Sequence, residues 1–163
     1  MSGTVADNVF RASGVVQAAA AGGAFESALL HMTVGPLAYT TTTSWTDFDL
    51  TTVVTNEITG ASLSSGEITL PAGTYYCDST SQYWMSDETN FRLYDDTGSA
   101  VLLYGDGGYA HTNDYQSKDC RIVGRFTLGV TSVAQVEYYT AVGGTQTLGQ
   151  LGAPNHWLIW KLS

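Results

Sequence analysis

Residues 65–83, SGEITLPAGTYYCDSTSQY, constrain the fold more tightly than any other stretch of the chain. Gly66-Glu67-Ile68-Thr69-Leu70 alternates polar and apolar side chains. This puts Ile68 and Leu70 on one face, the period of a half-buried strand. Pro71-Ala72-Gly73 interrupts it: Pro71 has no N–H to give a ladder, and Gly73 accepts backbone angles closed to other residues. Thr74-Tyr75-Tyr76-Cys77 then resumes with β-branched and aromatic residues suited to a pleated surface. Two extended segments joined this tightly read as a hairpin. Further strand candidates follow at short intervals, so the pattern predicts an all-β domain with this hairpin at its middle.

The flanks obey the same rules. Residues 28–34 (ALLHMTV) predict the first strand, ended by Gly35-Pro36. In 39–48 (YTTTTSWTDF) the threonines favour extended backbone, because branched side chains are stiff at χ1. Residues 50–63 read as loop-rich. Phe91-Arg92-Leu93-Tyr94 and residues 100–104 (AVLLY) predict a hairpin across Asp95-Asp96-Thr97-Gly98, where Asp caps the turn and Gly takes its strained corner. Residues 121–128 (RIVGRFTL) put Ile122, Phe126 and Leu128 on one face and Arg121 and Arg125 on the other, with Gly124 marking a bulge or a close approach. Residues 134–141 form a similar strand, and 145–155 a Gly-rich loop. The last strand, 156–162, is apolar on both faces: Leu158, Trp160 and Leu162 on one, Trp157 and Ile159 on the other. One face of an antiparallel sheet is ordinarily wet, so a second apolar face predicts packing against another subunit.

Residues 1–24 have a different character. They carry few large apolar side chains and end in an alanine run, yet Val5, Val9, Phe10, Val15 and Val16 give them something to bury. That is more than a linker needs, and it predicts an arm that orders on contact with another protein. The chain therefore divides into an N-terminal attachment arm, 1–24, and one β-sandwich domain, 25–163, long enough for a real core.

Charge narrows the partners. The net charge is −9, with only six Lys and Arg. A nucleic-acid footprint needs clustered cations, so nucleic acid is not an expected partner. No apolar run approaches the roughly 18–20 residues that span a bilayer, and no secretion-signal pattern opens the sequence; a membrane is not expected either. Cys77 and Cys120 are too few for a disulfide framework and read as free, buried thiols, with a single cross-strand disulfide as the alternative because they sit in separate strand candidates.

The search for chemistry yields no specific constellation. His31, His111 and His156 have no HxxxH or HExxH spacing, and His31 and His156 read as satisfied strand residues. No Ser sits in a Gly-x-Ser-x-Gly elbow. Asp95, Asp96, Asp106, Asp114 and Asp119 are oxygen donors of the kind calcium uses, but without EF-hand spacing; they read as turn and loop residues. No catalytic group, metal or cofactor is expected. The long polar loop 105–120 does invite a ligand reading: Tyr109 and Tyr115 supply stacking faces, and Asp106, His111 and Asp114 supply hydrogen-bonding groups, as a sugar site requires.

The ordered set of strands has a family likeness. Gly66-x-Ile68-Thr69-Leu70-Pro71-Ala72-Gly73-Thr74-Tyr75-Tyr76 resembles the central hairpin of jelly-roll domains of the tumour-necrosis-factor and complement-globular-head type. More closely, it resembles their small versions in tail fibres, head fibres and capsid decorations of tailed bacteriophages. Asn90-Phe91-Arg92-Leu93-Tyr94-Asp95, Val136-Glu137-Tyr138-Tyr139 and Leu158-Ile159-Trp160-Lys161-Leu162 match in order and spacing, and the likeness runs over residues 25–163. Residues 7–16, including Asn8, Val9, Phe10 and Arg11, resemble an N-terminal segment of phage tail and fibre proteins.

The resemblance implies an antiparallel TNF-like jelly-roll sandwich that forms a homotrimer, with the last strand near the three-fold axis and Tyr138, Trp157, Ile159 and Trp160 at the interface. It also implies a non-enzymatic virion structural protein: a capsid decoration (cement) or head-fibre protein. Such a protein is made in the bacterial cytoplasm and held on the virion surface by residues 1–24, which contact the major capsid protein or another virion protein. Two alternatives remain open: a tail-fibre or receptor-binding protein that recognises host glycan through the loop 105–119, and a monomeric carbohydrate-binding module.

Overall fold

Fourteen strands are present among the described residues of the computed structural model, which are 28–34, 37–41, 43–84, 88–109, 117–141, 144–148 and 155–163. The attachment arm 1–24 lies outside them, as do His111, Asp114 and Tyr115. The strands are β1 (Ala28–Val34), β2 (Leu37–Thr41), β3 (Thr46–Asp47), β4 (Thr52–Asn56), β5 (Ser62–Ser64), β6 (Glu67–Leu70), β7 (Gly73–Trp84), β8 (Glu88–Asp95), β9 (Ala100–Tyr104), β10 (Gly108–Tyr109), β11 (Ser117–Leu128), β12 (Ser132–Thr140), β13 (Gly144–Leu148) and β14 (Asn155–Lys161). All named pairings are antiparallel.

They make two sheets. The first runs β2-β13-β7-β14-β1-β4, with β11 also on β7; the second runs β10-β8-β12-β6-β5, with β3 on β12 and β9 on β8. Their inner faces share one core. Leu30, Met32, Tyr75, Cys77, Ile122, Trp157 and Ile159 come from the first sheet, and Ile68, Leu70, Phe91, Leu93, Val136 and Tyr138 from the second. Phe48 packs edge-on against Phe91 with ring centroids 5.3 Å apart. The indole N–H of Trp157 donates to Ser81 Oγ at 3.0 Å, so the one polar atom of this buried ring is satisfied.

The stretch around Pro71 is not the hairpin its sequence predicts. β6 pairs with β5 and β12, whereas β7 pairs with β11, β13 and β14. The two segments belong to opposite sheets, and Pro71-Ala72 is a corner between them. Gly73 is required there by crowding: a Cβ would lie 2.6 Å from the Ser163 carbonyl oxygen and 2.8 Å from Lys161 Cε. Local pattern fixes that a strand stops and another starts, but not which ladder each joins.

Other departures are smaller. The loop-rich reading of 50–63 gives way to β4 and β5, and the Gly-rich 145–155 contains β13. The 95–100 turn forms, but its left-handed residue is Ser99 (φ 52°), not Gly98. Gly124 marks a close approach, not a bulge: β11 keeps unbroken register with β7, and a Cβ at 124 would meet Leu103 Cδ2 of the opposite sheet at 2.6 Å.

Candidate functional site

Register turns the outer face of the first sheet into three rungs across β1, β14, β7 and β11. The first rung is Leu29, Trp160, Tyr76 and Arg125; the second His31, Leu158, Asp78 and Val123; the third Thr33, His156, Thr80 and Arg121. The first rung is the most apolar. Tyr76 and Trp160 pack with ring centroids 6.0 Å apart, Leu29 and Trp160 are half-buried, and Tyr76 retains 36% exposure. Val123, 41% exposed, extends the apolar surface along β11. Between the second and third rungs Arg121 makes a two-pronged contact with Asp78, at 3.0 and 2.8 Å. Two strands away, His31 Nε2 and His156 Nδ1 stand 2.9 Å apart. Burial and the neighbouring His156 lower the pKa of His31.

The residues expected at a subunit interface separate here. Trp160 faces outward on the first rung. Trp157, Ile159 and Tyr138 do not: they are 0%, 0% and 1% exposed within the single chain and belong to its own core. A strand that is apolar on both faces does need cover on both, but the opposite sheet supplies one of the covers. What a second copy can reach on the outer face of β14 is His156, Leu158 and Trp160.

The second sheet has a polar-aromatic outer face. Arg92 Nε donates to Glu137 Oε2 at 2.5 Å, and its guanidinium lies 4.3 Å over the Trp45 ring and 4.7 Å over Tyr94. Trp45 also packs with Tyr104 and Tyr139. Tyr104, 65% exposed, leads into the expected loop 105–120, part of which is strand: β10 takes 108–109 and β11 begins at Ser117. Of the expected ligand residues there, Asp106 is exposed, and Tyr109 holds β10 against Glu88. None of these side-chain clusters was legible as a motif. The sole signal is cross-strand register, which pairs Arg92 with Glu137 and Tyr104 and sets His31 diagonal to His156.

The expected oxygen donors do not converge. Asp95 is buried at the end of β8 and Asp96, just beyond it, is exposed, while Asp114 lies outside the described residues; among the described residues, no group of three or more His, Cys, Asp or Glu is placed to hold a metal ion. The cysteines are both free. Cys120 lies opposite Ser81 and Cys77 opposite Gly124, so the two are four positions out of register, about 13 Å along the strands and beyond disulfide reach. Burial pushes the Cys77 thiol up to about 12 and the Cys120 thiol up to about 11, so neither is a nucleophile at neutral pH. Among the described residues no helix is long and apolar enough to cross a membrane.

No protein-family model matches the chain, and no curated protein matches its sequence. Solved structures do match. The chain is similar to Eiger TNF from S. frugiperda, with TM-score 0.64 and 12% identity over 84% of this chain and 93% of that one. It is similar to murine APRIL at pH 5.0, with TM-score 0.64 and 14% identity over 84% and 100%. The globular domain of zebrafish complement 1qA follows, with TM-score 0.61 and 10% identity over 85% and 98%. Identities this low speak for the fold alone. The chain is an antiparallel jelly roll of the tumour-necrosis-factor and complement-head type.

Proposed function

We propose that this protein is a non-enzymatic structural subunit of a bacteriophage virion. It assembles as a homotrimer through the outer face of its first sheet and is attached through residues 1–24 to the major capsid protein or another virion protein, as a decoration or short head fibre. The observation that carries the trimer is the rung Leu29–Trp160–Tyr76, a cross-strand band of large apolar side chains that the described residues of the protomer leave partly open. Covering such a band against identical copies is how an obligate oligomer stabilises itself. The phage assignment rests on the resemblance of residues 7–16 and of the strand set, together with the low cation content that disfavours nucleic acid.

Chain direction fits attachment. The domain begins at Ala28, beside Lys161, at one end of the sheets; Tyr109 and Ser117, which flank the 110–116 segment, lie at the other end with Glu88 and Trp84. An arm at the first end leaves the opposite end facing away from the particle.

The test is the native mass of the full-length protein. A mass of three chains that survives dilution is expected. Trp160→Glu, on the outer face, is expected to keep the β-sheet circular dichroism and lower the mass to one chain. A wild-type monomer would overturn the proposal and favour a single-chain sugar-binding module. A second reading, recognition of a host glycan, is favoured by Tyr104 and its aromatic neighbours beside the 105–120 loop.

A further inference from the structure

β1 and β14 pair over seven residues, from Ala28 opposite Lys161 to Val34 opposite Asn155. His31 and His156 are diagonal neighbours in that ladder and point to the same face. Their nitrogens meet at 2.9 Å, with ring centroids 5.1 Å apart and ring planes 32° from parallel. On the same two rungs Leu158, Val123, Thr33 and Thr80 carry no charge, and the two residues that do, Asp78 and Arg121, are paired with each other.

We propose that His31 and His156 form a two-imidazole site for a late first-row divalent transition ion, Ni²⁺ or Cu²⁺, which staples the first strand to the last. Imidazole nitrogen binds such ions at about 2.0–2.1 Å. An ion at that distance from two nitrogens 2.9 Å apart sees them about 90° apart. That is the cis angle of octahedral and tetragonal sites; a tetrahedral ion such as Zn²⁺ needs the nitrogens about 3.3 Å apart and so a wider opening. The β1–β14 register is unbroken and sets the two rings side by side, although β1 shifts register against β4 between His31 and Met32, so binding needs the rings to turn but not the strands to move apart. The donor ring moves its shared proton to its other nitrogen, both lone pairs then face the ion, and no net proton is released. Solvent reaches the exposed His156, and water fills the remaining coordination positions. Both ligands come from one chain, on the second and third rungs of the face proposed above to meet other copies, so the site requires those rungs to stay outside the contact made by the first.

The experiment is a thermal-unfolding titration of the full-length protein with NiCl₂, paired with electron paramagnetic resonance of the Cu²⁺-loaded protein. At about a hundred times Kd, Ni²⁺ is expected to raise Tm by about 5–10 °C, and Cu²⁺ to show nitrogen couplings from two imidazoles. His31→Asn and His156→Asn are each expected to abolish the shift, and His111→Asn to leave it intact. The copper spectrum needs no variant and keeps the test informative if a substitution disturbs folding. No shift in the wild type, a shift that survives in either of the first two variants, or a copper spectrum without two nitrogen couplings overturns the proposal.

Discussion

Asp47 sits where three other carboxylates face it. It lies opposite Glu137 on β12, and burial, then Glu137, Asp49 and Glu67 in that order, raise its pKa. Asp96 is raised by burial and by Asp47 foremost among the neighbouring carboxylates. Gln135, with its amide oriented to satisfy the network, donates to both, at 3.0 Å to Asp47 and 3.2 Å to Asp96. The sign follows from proton linkage. An acid that titrates higher folded than unfolded binds more protons in the native state between its two pKa values, so stability falls as pH rises through that window. Asp47→Asn removes the ionised form, and it is expected to raise Tm at pH 7 by about 1–3 °C, a modest figure because the group is largely exposed to screening solvent. The gain should disappear below about pH 4, where the wild-type carboxyl is itself protonated. A calorimetric scan of both proteins across pH 3–8 checks this, and an Asp47→Asn protein less stable at pH 7 would refute it.

At the scale of elements, β14 decides whether the first sheet exists. It lies between β1 and β7, so the ends of the domain are sewn together through its middle. Removing residues 155–163 would leave β1 and β4 without a ladder to β7 and expose Tyr75, Cys77 and Leu30 beside the missing Trp157 and Ile159. The truncated chain is expected not to fold, with loss of the near-ultraviolet aromatic signal; a cooperative unfolding transition in it would contradict this. The same elements mark what sequence discloses. β1 and β14 are legible almost to the residue because periodicity and turn signals bound them. The inward Ile122, Phe126 and Leu128 of β11 are legible for the same reason. The Pro71 corner is not, because the choice between a hairpin and a change of sheet rests on partners far along the chain. Nor is the outer-face chemistry: Arg92, Trp45 and Tyr94 are far apart in sequence or unremarkable in it, and only register stacks them. The two-sided apolar strand was legible as a pattern, yet the pattern alone did not tell which face its own sandwich covers.

The described domain is polar along its strands, with Ala28 at one end and Tyr109 and Ser117, which flank residues 110–116, at the other. If the arm attaches and the sheets assemble, the two functions separate. Deleting residues 1–24 is expected to leave a folded trimer by native mass that no longer co-sediments with particles, and undiminished co-sedimentation would remove the arm from the account. The antiparallel pairing of Ala28 with Lys161 has a practical side as well. Leu162 and Ser163 stay bonded to Thr74, so whatever precedes residue 28 and whatever follows residue 163 leave the domain at the same end of the sheets. A foreign peptide appended after residue 163 would emerge at the end of the sheets where Ala28 enters, the end that the proposed arm would hold to its partner, whereas one spliced between Tyr109 and Ser117 would be carried at the opposite end.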